Sequence, residues 1–311
     1  MELGVHLPLV EFRDEGLSAR RLFESVDAAR ECGFAAVSAN DHFLFAAPWL
    51  DGPTALAAAI ERSGDMALAT TIALPVLRGP VPLAKALAAI DLLSGGRLVA
   101  ALGPGSSEGD YAALGVPFEE RWERLDESIA ALRALLRAER PTKPGRFYPF
   151  PDTPLAPRPA QPSGVPLWIG SWGSPAGLRR VARLGDGWLA SAYNTTPERF
   201  AAAREALAAE LADRGRPADG FPNALSTMWA WVTSDDAEAD RVLSAVLAPL
   251  LRRDPAELRE QVCVGSPARC AELLARYAEA GCGCVYMWPL GEERRQIELI
   301  GFEVLPLIAS A

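Results

Sequence analysis

Short, nearly continuous apolar runs alternate along the chain with longer stretches whose apolar side chains recur every three or four residues. The first four runs are Leu3–Leu7, Phe34–Ala39, Ala67–Leu74 and Leu98–Leu102. They begin 31, 33 and 31 residues apart, the length of a strand-plus-helix unit. Unbroken apolar strands are expected where both faces of a sheet are covered. The stretches between them predict helices over about 18–32, 54–62 and 82–93. After the fourth run, Trp122, Leu125, Ile129, Leu132 and Leu136 mark one face of a further helix.

The pattern then breaks. Residues 141–166 hold nine of the 26 prolines, which suits neither a helix nor a central strand. A long loop of this kind is expected to serve function. Alternation resumes with strands predicted at Leu167–Gly170, Gly187–Ala192, Leu225–Val232 and Cys284–Trp288. Ser174-Pro175, Thr196-Pro197 and Ser266-Pro267 read as helix starts, a cap followed by proline at the first helical position. Eight strands in strand–helix alternation predict a single (β/α)8 TIM barrel over 1–311, in one domain, with 141–166 as an excursion over the strand C-termini. A doubly wound open sheet is the alternative.

Composition narrows the chemistry. The net charge of −9 disfavours a general nucleic-acid or anionic-membrane binder. No apolar run approaches the ~18 residues of a membrane span, and Met1-Glu2-Leu3-Gly4 has no basic n-region, so a cytoplasmic protein is expected. Five cysteines without CxxC spacing and only two histidines, His6 and His42, argue against a metal centre or a disulfide framework. Lys85 and Lys143 are not placed as Schiff-base lysines, and a GxxxxGK[ST] motif is absent.

In this barrel, functional groups gather where strands end. His6 ends the first strand, and Asn40-Asp41-His42-Phe43 follows the second. Gly103-Pro104-Gly105-Ser106-Ser107-Glu108 follows the fourth, and Gly170-Ser171-Trp172-Gly173-Ser174 the fifth. Tyr193, Trp231 and Trp288 belong to the last three. Large aromatics with apolar walls suit a flat ring system. Each residue also has a plainer reading. His42 could cap its loop, His6 could be a satisfied core histidine, and Glu108 could be solvated. Gly103-x-Gly105 is a weak dinucleotide signal, and Gly170–Ser174 is either an anion cradle at a helix N-terminus or a simple turn. Ser94-Gly95-Gly96-Arg97 and Gly185-Asp186 precede strands and fall on the opposite, stability face.

Several stretches, in order along nearly the whole chain, resemble the luciferase-like monooxygenase superfamily of flavin- and deazaflavin-dependent oxidoreductases. They are Asn40–Phe43; Ala84-Lys85 with Asp91 and Ser94–Arg97; and Gly103-Pro104-Gly105 with Asp110-Tyr111 and Gly115. Arg121, Glu127, Pro159-x-Gln161-Pro162, Pro166–Gly170, Gly185–Trp188 and Gly265-Ser266-Pro267 complete the set.

The resemblance implies reduced FMN or the deazaflavin coenzyme F420 at the strand C-termini, with a small organic substrate. The ring is expected near Thr71, Ala73 and Val76, with Gly103 and Gly105 beside it, and the phosphate near Gly170, Ser171, Trp172, Gly173 and Ser174. His42 is the expected acid–base group, oriented by Asp41, with Glu108 as a second proton donor. His6, Phe147, Tyr148, Tyr193, Trp231 and Trp288 are expected in the substrate pocket, Phe147 and Tyr148 from the covering loop. A homodimer is an open assembly. FMN-dependent luciferases more often carry Glu-His-His where this chain has Asn40-Asp41-His42, which tilts the expectation toward the deazaflavin. Ser106-Ser107 departs from relatives that place an aromatic soon after the strand-four glycines. A non-catalytic flavin-binding barrel is the rival reading.

Overall fold

A computed structural model describes residues 1–12, 16–137, 145–149 and 154–309. Its strands are β1 (Glu2–His6), β2 (Ala36–Ala39), β3 (Ala67–Ala73), β4 (Leu98–Leu102), β5 (Leu167–Gly170), β6 (Gly187–Ser191), β7 (Asn223–Val232), β8 (Cys263–Gly265) and β9 (Cys284–Pro289). All pair in parallel. β1 to β7 are neighbours in chain order, β7 pairs with β9, and β9 pairs with β1, which closes an eight-stranded barrel. Helices between the strands cover its outside, giving the predicted TIM-barrel architecture. Ser174, Thr196 and Ser266 each cap a helix with proline in the first turn, as their dipeptides predict. Of the proline-rich excursion, residues 141–144 and 150–153 lie outside the described residues.

The barrel interior explains where the mouth lies. Ala36, Ala69, Ala101, Leu189, Ala224, Cys284 and Tyr286 form an inner cluster, joined by Ile72 and Trp168. Small residues face the large ones. A Cβ at Gly4 would stand 2.6 Å from Tyr286 Cδ1, and one at Gly187 2.5 Å from Trp168 Cδ2. Two residues further along each strand is the next inward position. That step leads to His6, Ser38, Thr71, Ser191 and Trp288, the layer on which a ligand at the strand C-termini would rest.

β8 was not predicted, since three residues carry no readable periodicity. It exists because β7 bends. The register of β7 against β9 shifts between Leu225 and Met228, and Thr227 sits there in left-handed backbone (φ 57°). Beyond the bend, β8 pairs with Ala230–Val232, whereas β6 pairs with Asn223–Ser226. The end of β7 is also held by a fully buried side chain. Gln296 Oε1 accepts from Val232 N at 2.6 Å, and Gln296 Nε2 donates to Val232 O at 3.2 Å. Gln296→Leu removes both partners and should cost about 1–3 kcal/mol. The check is the urea unfolding midpoint, and an unchanged midpoint would mean that Val232 finds other partners.

The glycine and acidic motifs before strands do serve the stability face. Asp91 is buried and takes bonds from Gln161 Nε2 (2.7 Å) and Gln161 N (3.1 Å). Arg97 Nε donates to Ser94 O at 2.8 Å, and Asp186 accepts from Leu167 N at 2.9 Å. No helix among the described residues is long and apolar enough to cross a membrane.

Candidate active site at the barrel mouth

Aromatic rings from four strand ends meet on one side of the mouth. His6 stacks on Trp288 with centroids 3.5 Å apart, and Trp288 stacks on Trp229 at 4.1 Å. Trp49 stands edge-on to Trp288 at 6.1 Å. His42 lies 4.5 Å from Trp49 and 5.2 Å from Phe45. Trp49 is placed by backbone pairing. Residues 48–50 run against the segment after β1, through a Val10–Trp49 bridge and a Leu50 N to Leu9 O bond of 2.8 Å.

His6 proves to be the satisfied histidine. Its Nδ1 donates to Leu7 O at 2.7 Å, and its Nε2 accepts from Asn40 N at 3.1 Å. Burial lowers its pKa to about 3, so the ring is neutral. Both nitrogens are committed to backbone. His6 therefore contributes to the expected substrate pocket as a stacking surface under Trp288 and not as a polar group.

His42 is differently placed. The ring is partly exposed, and its Nδ1 is 3.3 Å from Asp110 Oδ2. The contact is within ion-pair distance but is not aligned as a hydrogen bond. Asp110 is buried and also accepts from Leu44 N at 2.9 Å and Phe43 N at 3.4 Å, so it fixes the backbone that carries His42. Asp110 is held in turn by Ser107, whose hydroxyl caps its N–H at 3.1 Å.

Asp41 does not take the orienting position expected from its place in the chain. Its two oxygens receive Arg78 Nε and Nη2, both at 2.6 Å. Burial pushes the Asp41 carboxyl up, and Arg78 pulls against it. The partner facing His42 is Asp110. Glu108 is exposed in the first turn of the short helix Glu108–Ala113.

At the ring end of the expected cofactor site, Thr71 ends the inward row of β3, and the Thr71–Ile72 peptide is cis. The neighbouring glycines make room for β3 side chains. A Cβ at Gly103 would collide with Ile72 Cδ1, one at Gly170 would lie 3.2 Å from Ile72 Cγ2, and one at Gly105 3.1 Å from Leu74 Cδ2. Ala73 uses its carbonyl on Gly103 N (3.2 Å), and Val76 uses its own on Tyr148 Oη (3.4 Å).

Around this layer, six buried polar atoms have no hydrogen-bond partner among the described residues: Ser38 Oγ, Asn40 Oδ1, His42 Nδ1, Trp49 Nε1, Thr71 Oγ1 and Trp229 Nε1. Buried polar atoms are ordinarily paired. A mixed set of donors and acceptors at one mouth fits the polar edge of a flavin or deazaflavin ring.

The expected phosphate end is partly self-occupied. Ser171 N donates to Leu189 O (2.9 Å), Gly173 N to Ser171 Oγ (3.2 Å) and Gly177 N to the cap Ser174 Oγ (3.2 Å). Beside them lies a cavity of about 400 Å³, lined by Trp172, Gly173, Pro175, Asn194, Thr195 and Arg199 among others. Trp172 is 62% exposed there. Gly173 has φ +88°, so side chains at 173 meet backbone strain as well as any ligand.

The remaining expected pocket residues scatter. Phe147 lies under the Arg124 and Arg146 guanidiniums, and Tyr148 is bonded to Val76 O. Both line a groove of about 170 Å³ with Pro80, Val81, Ala131 and Leu135, against the helices Pro80–Leu93 and Arg121–Arg137. Tyr193 is half-buried beyond β6, where burial raises its hydroxyl pKa. Trp231 is fully buried where β7 pairs with β8, and the indole of β7 in the aromatic cluster is Trp229. Sequence reasoning missed Trp49 and Trp229, and it noted Asp110 and Arg78 without giving either a role in the site.

The family model described as luciferase-like monooxygenase matches residues 1–283. The chain belongs to the luciferase-like monooxygenase family. Among curated relatives, an F420-dependent glucose-6-phosphate dehydrogenase of Amycolatopsis mediterranei is 34% identical over 186 residues, 56% of this chain and 54% of that one. The match thus spans about half the length of such relatives. Two solved structures share the fold throughout. Monooxygenase RslO1 from Streptomyces bottropensis has a TM-score of 0.81 at 24% identity, covering 98% of this chain and 99% of that one. An F420-dependent secondary alcohol dehydrogenase, solved with an F420–acetone adduct, has a TM-score of 0.85 at 19% identity, covering 99% and 98%.

Proposed function

We propose that this chain is an oxidoreductase that binds F420 at the barrel mouth and exchanges hydride between it and a small organic molecule. The observation that carries the reading is the set of five buried polar atoms around His42 that lack a partner among the described residues: Ser38 Oγ, Asn40 Oδ1, Trp49 Nε1, Thr71 Oγ1 and Trp229 Nε1. The curated relatives named for F420 favour the deazaflavin over FMN. When bound, the deazaflavin supplies a two-electron acceptor for a hydride from a carbon bearing oxygen. Ser38, Asn40 and Thr71 hold its polar edge, and the layer below, filled by Ile72, Tyr286 and Trp168, keeps water from beneath it.

His42 takes the hydroxyl proton as the C–H bond gives up hydride and C=O forms, and it returns that proton in the reverse direction. Asp110 orients the imidazole and faces the charge it acquires. The phosphate lies in the cavity beside Gly173, with Arg199 as its cation. One domain in the cytoplasm completes the proposal.

Loss of the visible absorbance of oxidised F420 on adding alcohol, with no oxygen consumed, is the expected assay result. Oxygen-dependent turnover with reduced FMN would make the chain a monooxygenase instead. For the phosphate end, Arg199→Met should weaken binding of the phosphate-bearing cofactor about three- to tenfold and leave its phosphate-free form unchanged. Equal losses for both forms would place the phosphate elsewhere.

A further inference from the structure

Residues 145–149 are fastened to the barrel at two points. At the first, three consecutive backbone N–H groups converge on one carboxylate. Glu127 Oε1 accepts from Phe147 N at 2.8 Å and Tyr148 N at 2.6 Å, and Oε2 accepts from Arg146 N at 3.0 Å. Successive N–H groups turned to one side favour an anion, and here the helix Arg121–Arg137 supplies it. Gly145 leaves the space, since a Cβ there would collide with the Glu127 carboxylate. At the second point, Tyr148 Oη donates to Val76 O at 3.4 Å. Burial raises the Tyr148 pKa against the pull of Arg124, so the hydroxyl keeps the proton it donates. Phe147 and Tyr148 also share their groove with Pro80 and Val81, just beyond Val76.

The element held in this way depends on outside partners. The helix Pro75–Arg78 is a single turn, too short to be stable alone, and Leu74 before it gives no side-chain cap. Carbonyls at a helix end have no partner within it, and Pro80, four residues after Val76, has no N–H to offer. Yet this turn carries Arg78, whose guanidinium grips Asp41 and lies 5.0 Å from the centre of the Phe43 ring. Those two residues flank His42.

We infer that Glu127 and Tyr148 are positioning residues for His42, acting through the Pro75–Arg78 turn and its hold on Asp41 and Phe43. When the fastening loosens, the turn shifts, and the imidazole loses its place 3.3 Å from Asp110. The inference rests on the reading of His42 as the proton-transfer group and adds two residues from outside the barrel to it.

The test uses the full chain with no ligand. The chain has two histidines, so the imidazole NMR spectrum holds two ring systems, and His42 can be followed beside His6. Hydrogen exchange of the Leu77 and Arg78 amides, both bonded to Leu74 O, reports the turn. Tyr148→Phe should speed that exchange about threefold, the worth of one hydrogen bond, and move the His42 resonances while those of His6 stay. Glu127→Gln should do the same and also speed exchange at 146–148. The double variant should be no faster at Leu77 and Arg78 than Glu127→Gln alone, because both residues act through one contact. Glu123→Gln, whose carboxylate meets the exposed Arg146 side chain, is the control and should change none of these signals.

Faster exchange at 146–148 with either the turn or His42 unmoved would overturn the inference and leave Glu127 a fastening of its loop alone. Equal acceleration at the buried amides of β3 and β4 would also overturn it, since the loss would then be one of global stability. Full turnover in His42→Ala would overturn the acid–base reading instead, and none of the signals above depends on that result.

Discussion

His42→Ala should lower turnover by ~10²-fold or more, the usual scale of general acid–base catalysis, while cofactor affinity changes far less. The asymmetry follows from the geometry. The cofactor edge meets Ser38, Asn40 and Thr71 as well as His42, but no other imidazole among the described residues stands free at the mouth, since both His6 nitrogens are bonded to backbone.

Asp110→Asn should cost less, about tenfold in kcat, because it acts through His42. The double variant should be no slower than His42→Ala alone, as expected when two residues serve one step. Independent, multiplying losses would show that Asp110 has a separate task. Unchanged turnover in His42→Ala would reduce His42 to a loop residue.

Arg78→Met should destabilise the fold by about 3–5 kcal/mol near pH 7, the cost of leaving a buried charge without its partner. Asp41 is 4% exposed and receives two guanidinium bonds of 2.6 Å, so little solvent can replace Arg78. The deficit should depend on pH with a definite sign. Burial is the largest influence on the Asp41 carboxyl and already raises its pKa against the pull of Arg78. Without Arg78 the folded pKa rises further above the unfolded value.

A carboxyl so raised contributes stability that is full below its unfolded pKa and lost as pH rises through the folded one. The variant should therefore recover part of its loss as pH falls from about 7 to about 5. Adding Asp41→Asn should recover part of it at neutral pH. Urea midpoints at the two pH values check both statements. A deficit below about 1 kcal/mol, or one equal at both pH values, would mean that water or another cation replaces Arg78.

The barrel was legible because its first four strands are apolar runs at nearly constant spacing and three of its later helices begin with Ser-Pro or Thr-Pro signals. Neither clue depends on long-range contacts. The site was legible only in part. His42 stands out as one of two histidines, at the end of a strand. Its partner was read as Asp41 because the two are adjacent, yet adjacent residues in extended backbone point apart. Asp41 turns to Arg78, and the carboxylate that reaches His42 comes from the short helix Glu108–Ala113 after β4.

Gly103, Gly105 and Gly170 were recognised as special positions. What crowds them, Ile72 of β3 and Leu74 just after it, is a matter of packing that spacing cannot show. Trp231 was chosen over Trp229 for a similar reason. The bend at Thr227, which decides what the end of β7 pairs with, leaves no mark on hydropathy.

The central claim is that the mouth around His42 holds a deazaflavin ring. It is tested most directly by titrating the purified protein with oxidised F420 and with FMN, following cofactor absorbance and tryptophan emission together. Saturation by one equivalent of F420 is expected, with quenching as the ring approaches Trp49, Trp229 and Trp288, and with weaker binding of FMN. Absence of binding by either cofactor, or binding that leaves the tryptophan emission unchanged, would contradict it.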